Sequence, residues 1–227
     1  KQKKVSIVGT RRPSSYTKEF THKLSSKLSN AGVCIVSGAA MGVDALAHKA
    51  CNDFNTIAVV ANGLDIKYPS VNKSLIQNIE KNGLMLSAYK EGEKARNYTF
   101  VHRNELVVAL GEILIVTEAD IKSGSLTSVD YALKMNKKVY TLPHRINDSL
   151  GTQELVKKGL IQPIYDIDSF IDNLIPQQIN KEIKDDFLEY CQNSPLYDEA
   201  ILKYSDKVFE YELMGKIEIK NGKVFVI

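Results

Sequence analysis

Short apolar runs rich in β-branched residues recur through the first two thirds of the chain, at residues 5–8, 33–36, 56–60, 84–87, 113–116 and 139–142. Uninterrupted apolar runs of this length suit strands buried on both faces. Between them lie helical patterns. The clearest is Tyr16, Phe20, Leu24, Leu28 and Ala31, whose spacing lays one apolar stripe against a sheet. Regular alternation of strand and helix predicts an α/β fold with a doubly wound, mostly parallel sheet. In such folds ligands bind beyond the carboxyl ends of the strands, so the loops entering the helices carry the functional information.

The pattern changes after Pro163. The segment IYDIDSFIDNLIP closes a first domain at residues 1–175, and the polar start of PQQINKEIKDD predicts a linker at 176–182. Residues 183–227 then read as three short helices, FLEYCQN, LYDEAILKYS and DKVFEYELMG, the last stopped by Gly215. The hairpin KIEIKNGKVFVI turns at Asn221-Gly222. Three helices and a hairpin outline a small winged-helix-like domain.

Composition changes this picture little. With 227 residues, 44% hydrophobic and 25% charged, the chain is long enough for one substantial core and a small second unit. Its 30 basic against 27 acidic residues suit a polyanion partner without demanding one. Cys34, Cys51 and Cys191 are an odd, scattered set without metal-ligand spacing, expected to be reduced and structural. Neither a metal nor a cofactor is expected. No apolar stretch has the length of a membrane span, which predicts a soluble, cytoplasmic protein. A chain that begins at a strand without an initiator Met is expected to lack some N-terminal sequence.

The candidate chemistry lies in five segments. The first strand runs into Gly9-Thr10-Arg11-Arg12, which brings a hydroxyl and two guanidiniums to the ligand edge. Guanidiniums make bidentate hydrogen bonds to phosphate, and helix N-terminal amides add donors; a tight turn with two solvated arginines fits these residues equally well. The second strand ends in Ser37-Gly38-Ala39-Ala40-Met41-Gly42-Val43-Asp44. Its small residues let amides approach a ligand or a helix approach the sheet, and Asp44 suits the helix entrance. His48, with no nucleophile or second carboxylate beside it, reads as a structural histidine. Lys67-Tyr68 and Phe100-Val101-His102-Arg103-Asn104 interleave aromatic and basic side chains. Phe100 and Tyr68 suit stacking on unpaired bases and Lys67 and Arg103 suit phosphates, although core packing is the commoner use of a single aromatic. The fifth strand leads to Asp120-Ile121-Lys122-Ser123-Gly124-Ser125-Leu126-Thr127-Ser128, a hydroxyl-rich loop opening a helix. Without GxxxxGK[ST] or GxGxxG spacing, P-loop ATPase and dinucleotide readings weaken.

In this order the loops resemble the signature segments of the DprA/Smf family. The residues that carry the resemblance are Gly9-Thr10-Arg11, Ser37 to Asp44 with His48, Gly63-Leu64-Asp65 with Tyr68-Pro69, then Phe100, Arg103 and Asn104, then Glu118-Ala119 with Ser123-Gly124-Ser125-Leu126-Thr127. The resemblance spans roughly residues 3 to 165. It implies an extended Rossmann-like domain that forms homodimers and binds single-stranded DNA across its strand-end pocket. It also implies a non-catalytic role in natural transformation, protecting incoming DNA and helping load RecA recombinase. By motif position, Gly9, Arg11, Ser37, Gly38, Gly42 and the loop Lys122, Ser123, Gly124, Ser125 would form the phosphate pocket, with Thr10, Ala40 and Asn104 in the same segments. Side-chain chemistry adds Arg12, Lys67, Phe100 and Arg103.

Two other classes compete. A nucleotide hydrolase of the phosphoribohydrolase kind would use a PGGxGTxxE loop, where this chain has SGSLTSVD; Asp44, Asp65 and Glu118 remain as carboxylates without an evident acid/base partner. A groove-reading helix in the C-terminal unit is disfavoured, because DKVFEYELMG carries one lysine against three acids. An acidic surface suits a protein contact at least as well as DNA. The amphipathic segment 126–135 fits either a dimer interface or a helix packed on the sheet.

Overall fold

The computed structural model describes residues 2–52, 55–175 and 186–226. Strands and helices alternate as β1 (Lys4–Val8), α1 (Ser15–Asn30), β2 (Cys34–Ser37), α2 (Val43–Lys49), β3 (Thr56–Val60), α3 (Lys73–Asn82), β4 (Leu84–Ser87), α4 (Asn97–Leu110), β5 (Ile113–Val116), α5 (Ser125–Lys134), β6 (Val139–Thr141), α6 (Leu150–Lys157), β7 (Gln162–Pro163) and α7 (Ile167–Leu174). All ladders of this sheet are parallel, and the strand order is β4-β3-β2-β1-β5-β6-β7. The six predicted strands are present to within a residue or two. A seventh, β7, pairs Gln162 and Pro163 with β6 and was not anticipated.

The sheet is buried on both sides because alternate side chains of each strand feed different cores. Val5 and Ile7 of β1 pack with Ile35, Ile113 and Ile115 beneath α1, α2 and α7. Val8, Val36, Val59, Leu114 and Val116 face the opposite way, toward α4 and α5. A third cluster seats α3 on β3 through Leu75, Ile76 and Ile79 against Ala58 and Val60. The stripe on α1 is inward at Leu24 and Leu28, but Thr17, Thr21, Ser25 and Ser29 are buried too. The helix packs closely on α2 as well as on the sheet. Segment 126–135 packs on the sheet: Val129 and Ala132 are buried, and Leu126 and Leu133 lie against the same core.

Chain contacts divide the protein into two units after residue 175. The linker expected at 176–182 lies outside the described residues. The second unit contains α8 (Asp186–Cys191), α9 (Tyr197–Tyr204), α10 (Asp206–Leu213) and a hairpin of β8 (Ile217–Lys220) and β9 (Lys223–Val226). Asn221 and Gly222 take positive φ at the turn, as the Asn-Gly pair predicts. Its core gathers Phe187, Cys191, Ala200, Val208, Ile217 and Val224. An isolated antiparallel bridge from Leu196 to Lys223 adds a third edge to the hairpin. Three helices followed by a hairpin is the element order read from the sequence. Residues 1–175 carry 23 Lys and Arg against 17 Asp and Glu, a formal +6, while residues 176–227 carry 7 against 10. The excess of positive charge thus belongs to the first unit.

Candidate nucleic-acid interface

Strand order reverses between β1 and β5: the chain moves outward from β1 to β4 and returns across it to β5. The loops after β1 and β5 diverge at this switch point and leave a crevice at the carboxyl edge. A cleft of about 360 Å³ lies there, lined by Gly9, Thr10 and Arg11 after β1, Ala40 and Asp44 after β2, Asn97, Phe100, Val101, Arg103 and Asn104 of α4, and Ser123, Gly124, Ser125, Thr127 and Ser128 at the start of α5.

The β1 loop is fastened on both sides. Thr10 N donates to Glu118 O at 2.9 Å, and Val43 N, in the first turn of α2, donates to Thr10 O at 3.1 Å. The Glu118 carboxylate accepts from Ser14 N at 3.0 Å and Ser14 Oγ at 2.9 Å. Ser14 itself caps α1, accepting from Thr17 N. Gly42 is required by this packing. Its φ is +78°, and a Cβ there would stand 2.6 Å from the Arg11 carbonyl carbon and 2.7 Å from Arg11 Cα. Arg11, thus fixed at the base of its loop, lies over the Phe100 ring with its guanidinium carbon 5.0 Å from the centroid.

The opposite wall is the start of α5. Ser125 N donates to Ser123 Oγ at 3.2 Å and Leu126 N to Ser123 O at 3.0 Å, a tight turn that leads through Gly124 into the helix. Five consecutive or near-consecutive small residues, Ser123 to Ser128, bring hydroxyls and the positive end of a ten-residue helix to the cleft. The Ser128 hydroxyl is buried without a hydrogen-bond partner among the described residues.

Beneath the cleft a buried charge cluster holds the floor. Arg103 Nη1 donates to Gly38 O and, at 2.8 Å, to Val59 O, while its Nε donates to Asn104 Oδ1 at 3.1 Å. Burial pushes the Asp44 carboxyl up, and the Arg103 charge with hydrogen bonds from Ala40, Ser37 and Gly38 pulls the other way. Burial likewise lowers Arg103, opposed by Asp44. A Cβ on Gly38 would stand 2.5 Å from Asp44 Oδ2, which is why a glycine sits over this pair. His48 is buried alongside, its Nδ1 2.6 Å from Thr56 Oγ1, and burial and the Arg103 charge hold it down to about 3. It is structural, as the sequence suggested.

The sequence-derived residues separate into three groups. Gly9, Thr10, Arg11, Ala40, Phe100, Arg103, Asn104, Ser123, Gly124 and Ser125 line the cleft. Gly38 and Tyr68 lie in the adjoining hollow under Arg11 and Phe100, and Arg12 and Gly42 line a neighbouring one. Ser37, Lys67 and Lys122 do not line the cleft. Ser37 is buried and donates to Ile7 O at 2.6 Å; Lys67 pairs with Glu80 at 2.6 Å and donates to Leu64 O. Lys122 is exposed on its loop. Arg103 lines the cleft, but its Nη1 donates to the Gly38 and Val59 carbonyls and its Nε to Asn104, so it supports the floor. Asn97, Val101, Thr127 and Ser128 were missed; Thr127 and Ser128 stood within the loop already singled out. Among the described residues, no cluster of three or more His, Cys, Asp or Glu is placed to hold a metal ion, and no helix is long and apolar enough to cross a membrane. The three cysteines are free.

A family model described as DNA recombination-mediator protein A matches residues 1–175. Protein Smf of Synechocystis is 40% identical over 159 residues, 68% of this chain and 40% of that protein. DNA processing protein DprA of Streptococcus pneumoniae is 38% identical over 160 residues, 69% of this chain and 56% of that one. The chain therefore spans about half the length, or less, of these curated relatives. Among solved structures, DNA processing protein A from Helicobacter pylori, described for its unique single-stranded DNA binding mode, superposes with a TM-score of 0.74. It is 43% identical, with 76% of this chain and 80% of that chain covered. The superposition supports the Rossmann-like reading of the parallel sheet.

Proposed function

Because the chain belongs to the DNA recombination-mediator protein A family, we propose that it binds single-stranded DNA by its phosphates in the cleft between the β1 and β5 loops. The observation that carries this reading is the pairing of Arg11, held over Phe100, with the hydroxyl-lined N-terminus of α5 across one crevice. Phosphate meets a guanidinium and helix amides there, and Phe100 and Tyr68, 6.2 Å apart, offer ring faces to unpaired bases. Such a site reads charge and ring faces, so it binds with little sequence preference.

In the cell this activity serves natural transformation, in line with the processing role that names the relatives. The protein covers incoming DNA in the cytoplasm and helps load RecA recombinase on it, as a homodimer presenting two clefts to one strand. Two linked sites raise avidity through effective concentration. The C-terminal unit, acidic on α10 at Asp206, Glu210 and Glu212, suits a protein partner better than a groove.

The protein acts without catalysis in this reading. Each carboxylate that a phosphoribohydrolase-like chemistry would recruit is already engaged. Asp44 lies under Arg103, Asp65 accepts from Gly92 N at 3.0 Å, and Glu118 holds Ser14. The test titrates labelled oligothymidine and incubates the protein with nucleoside monophosphates in parallel. Salt-sensitive oligothymidine binding with no free base is expected; robust base release would replace this reading with hydrolysis.

A further inference from the structure

A second cleft, of about 460 Å³, adjoins the first and shares Arg11 with it. It gathers Arg11 and Arg12 from the β1 loop, Lys18 from the first turn of α1 and Lys49 from the last turn of α2, and none of its lining residues is acidic. None of these four cations has an ion-pair partner among the described residues. Like charges crowded on one surface repel one another, and an anion that spans them relieves the repulsion. The same cleft exposes two apolar side chains, Met41 at 45% and Val71 at 69%. A surface of cations with apolar faces between them matches a chain whose charged groups alternate with flat, weakly polar ones.

We propose that this second cleft carries the stretch of the same single strand that continues from the first, with Arg11 as the shared contact. Backbone phosphates meet Arg12, Lys18 and Lys49, and a sugar or base face rests on Met41 and Val71. Arg11 lines both clefts and Arg12 lines the second, so a strand that leaves Arg11 in the first cleft enters the second beside Arg12. Glycine at position 42 keeps α2 and the β1 loop in contact, which sets the Lys49 end of α2 and the arginines on one element pair. The inference rests on the reading of the first cleft as a single-stranded DNA site.

The experiment titrates the full chain and its Lys18→Gln/Lys49→Gln variant against labelled oligothymidines of about 4 to 16 nucleotides, at several salt concentrations. Both lysines are exposed, so circular dichroism is expected to be unchanged. Wild type should gain affinity with length. The variant should bind the shortest oligomer as wild type does, lose the gain, and show a salt slope on the longest shallower by about 1.4, from 0.7 per phosphate. A variant that keeps both the gain and the slope overturns the second subsite while leaving the first intact. Loss of the shortest oligomer as well would move the lysines into the first cleft and overturn the assignment. Failure of wild type to bind any oligomer overturns both readings. Polyglutamate that binds wild type as tightly as oligothymidine, and loses binding in the variant, would reassign the second cleft to an acidic peptide.

Discussion

Replacing Gly42 by alanine separates the site's architecture from its chemistry. Gly42 sits at φ +78° and ψ −127°, a conformation that costs an L residue about 1–3 kcal/mol. The added methyl would stand 2.6 Å and 2.7 Å from two Arg11 backbone carbons, about 1 Å inside the separation at which carbon atoms attract. Backbone cannot swing aside as a side chain does, so the β1 loop must retreat. Strain and displacement together give a destabilisation of about 2–4 kcal/mol, a fall in Tm of about 4–16 °C for a protein of this size. The same retreat withdraws Arg11 from the cleft, with an expected loss of single-stranded DNA affinity of tenfold or more at temperatures where the variant is folded. Gly124→Ala is the control for stability. Its φ is −60° and a Cβ there meets nothing within 4 Å, so its Tm should match wild type or rise by the equivalent of at most about 1 kcal/mol. Thermal unfolding by circular dichroism and anisotropy titration of both variants decide the matter. Wild-type Tm and affinity in Gly42→Ala would refute the close-approach argument.

Three further outcomes follow from the buried cluster and the ring face. Arg103→Met strands the Asp44 carboxyl in a buried site and frees the Gly38 and Val59 carbonyls, with an expected cost of about 3–5 kcal/mol in urea unfolding; adding Asp44→Asn should recover part of it, and no recovery would show that the two are not coupled. His48 is held at about 3 when folded against about 6.5 unfolded, so between those values the unfolded chain binds the extra proton. Its contribution is intact above pH 6.5 and is lost as pH falls, by about 2 kcal/mol at pH 5; unfolding of wild type and His48→Gln at pH 7 and pH 5 measures the difference, and equal pH slopes would contradict the assignment. Phe100→Leu should weaken oligothymidine binding by about 1–3 kcal/mol with little change in Tm, because the ring is half-buried at the cleft wall; unchanged affinity would remove it from base stacking.

Most of the first unit was legible because strands buried on both faces announce themselves as short apolar runs. Strand β7 was not, since two residues ending in a proline carry no periodicity. On α1, the buried threonines and serines look polar in a sequence, and only close packing in the folded unit gives them an inward role. The cleft was legible at its ends: Gly9 to Arg11 and Ser123 to Ser125 lie in the connections from β1 to α1 and from β5 to α5, where a loop's position in the chain fixes its place at the sheet edge. Side chains whose roles depend on distant partners were not. Nothing near Arg103 in the chain reveals that Asp44 and the Gly38 and Val59 carbonyls await it, nor does anything near Lys67 point to Glu80. Ser37, at the end of a strand, turned inward to Ile7 O and away from the cleft lining.

The most direct test of the central claim is the salt dependence of oligothymidine binding by wild type and Arg11→Ala, with circular dichroism confirming that both are folded. Arg11 is exposed, so its removal should leave stability unchanged. The account predicts about a tenfold to hundredfold loss of affinity at low salt, as for one charged hydrogen-bonding group, and a plot of log affinity against log salt shallower by about 0.7. Equal affinity and equal slope in the two proteins would place the DNA elsewhere and contradict the assignment of the β1–β5 cleft.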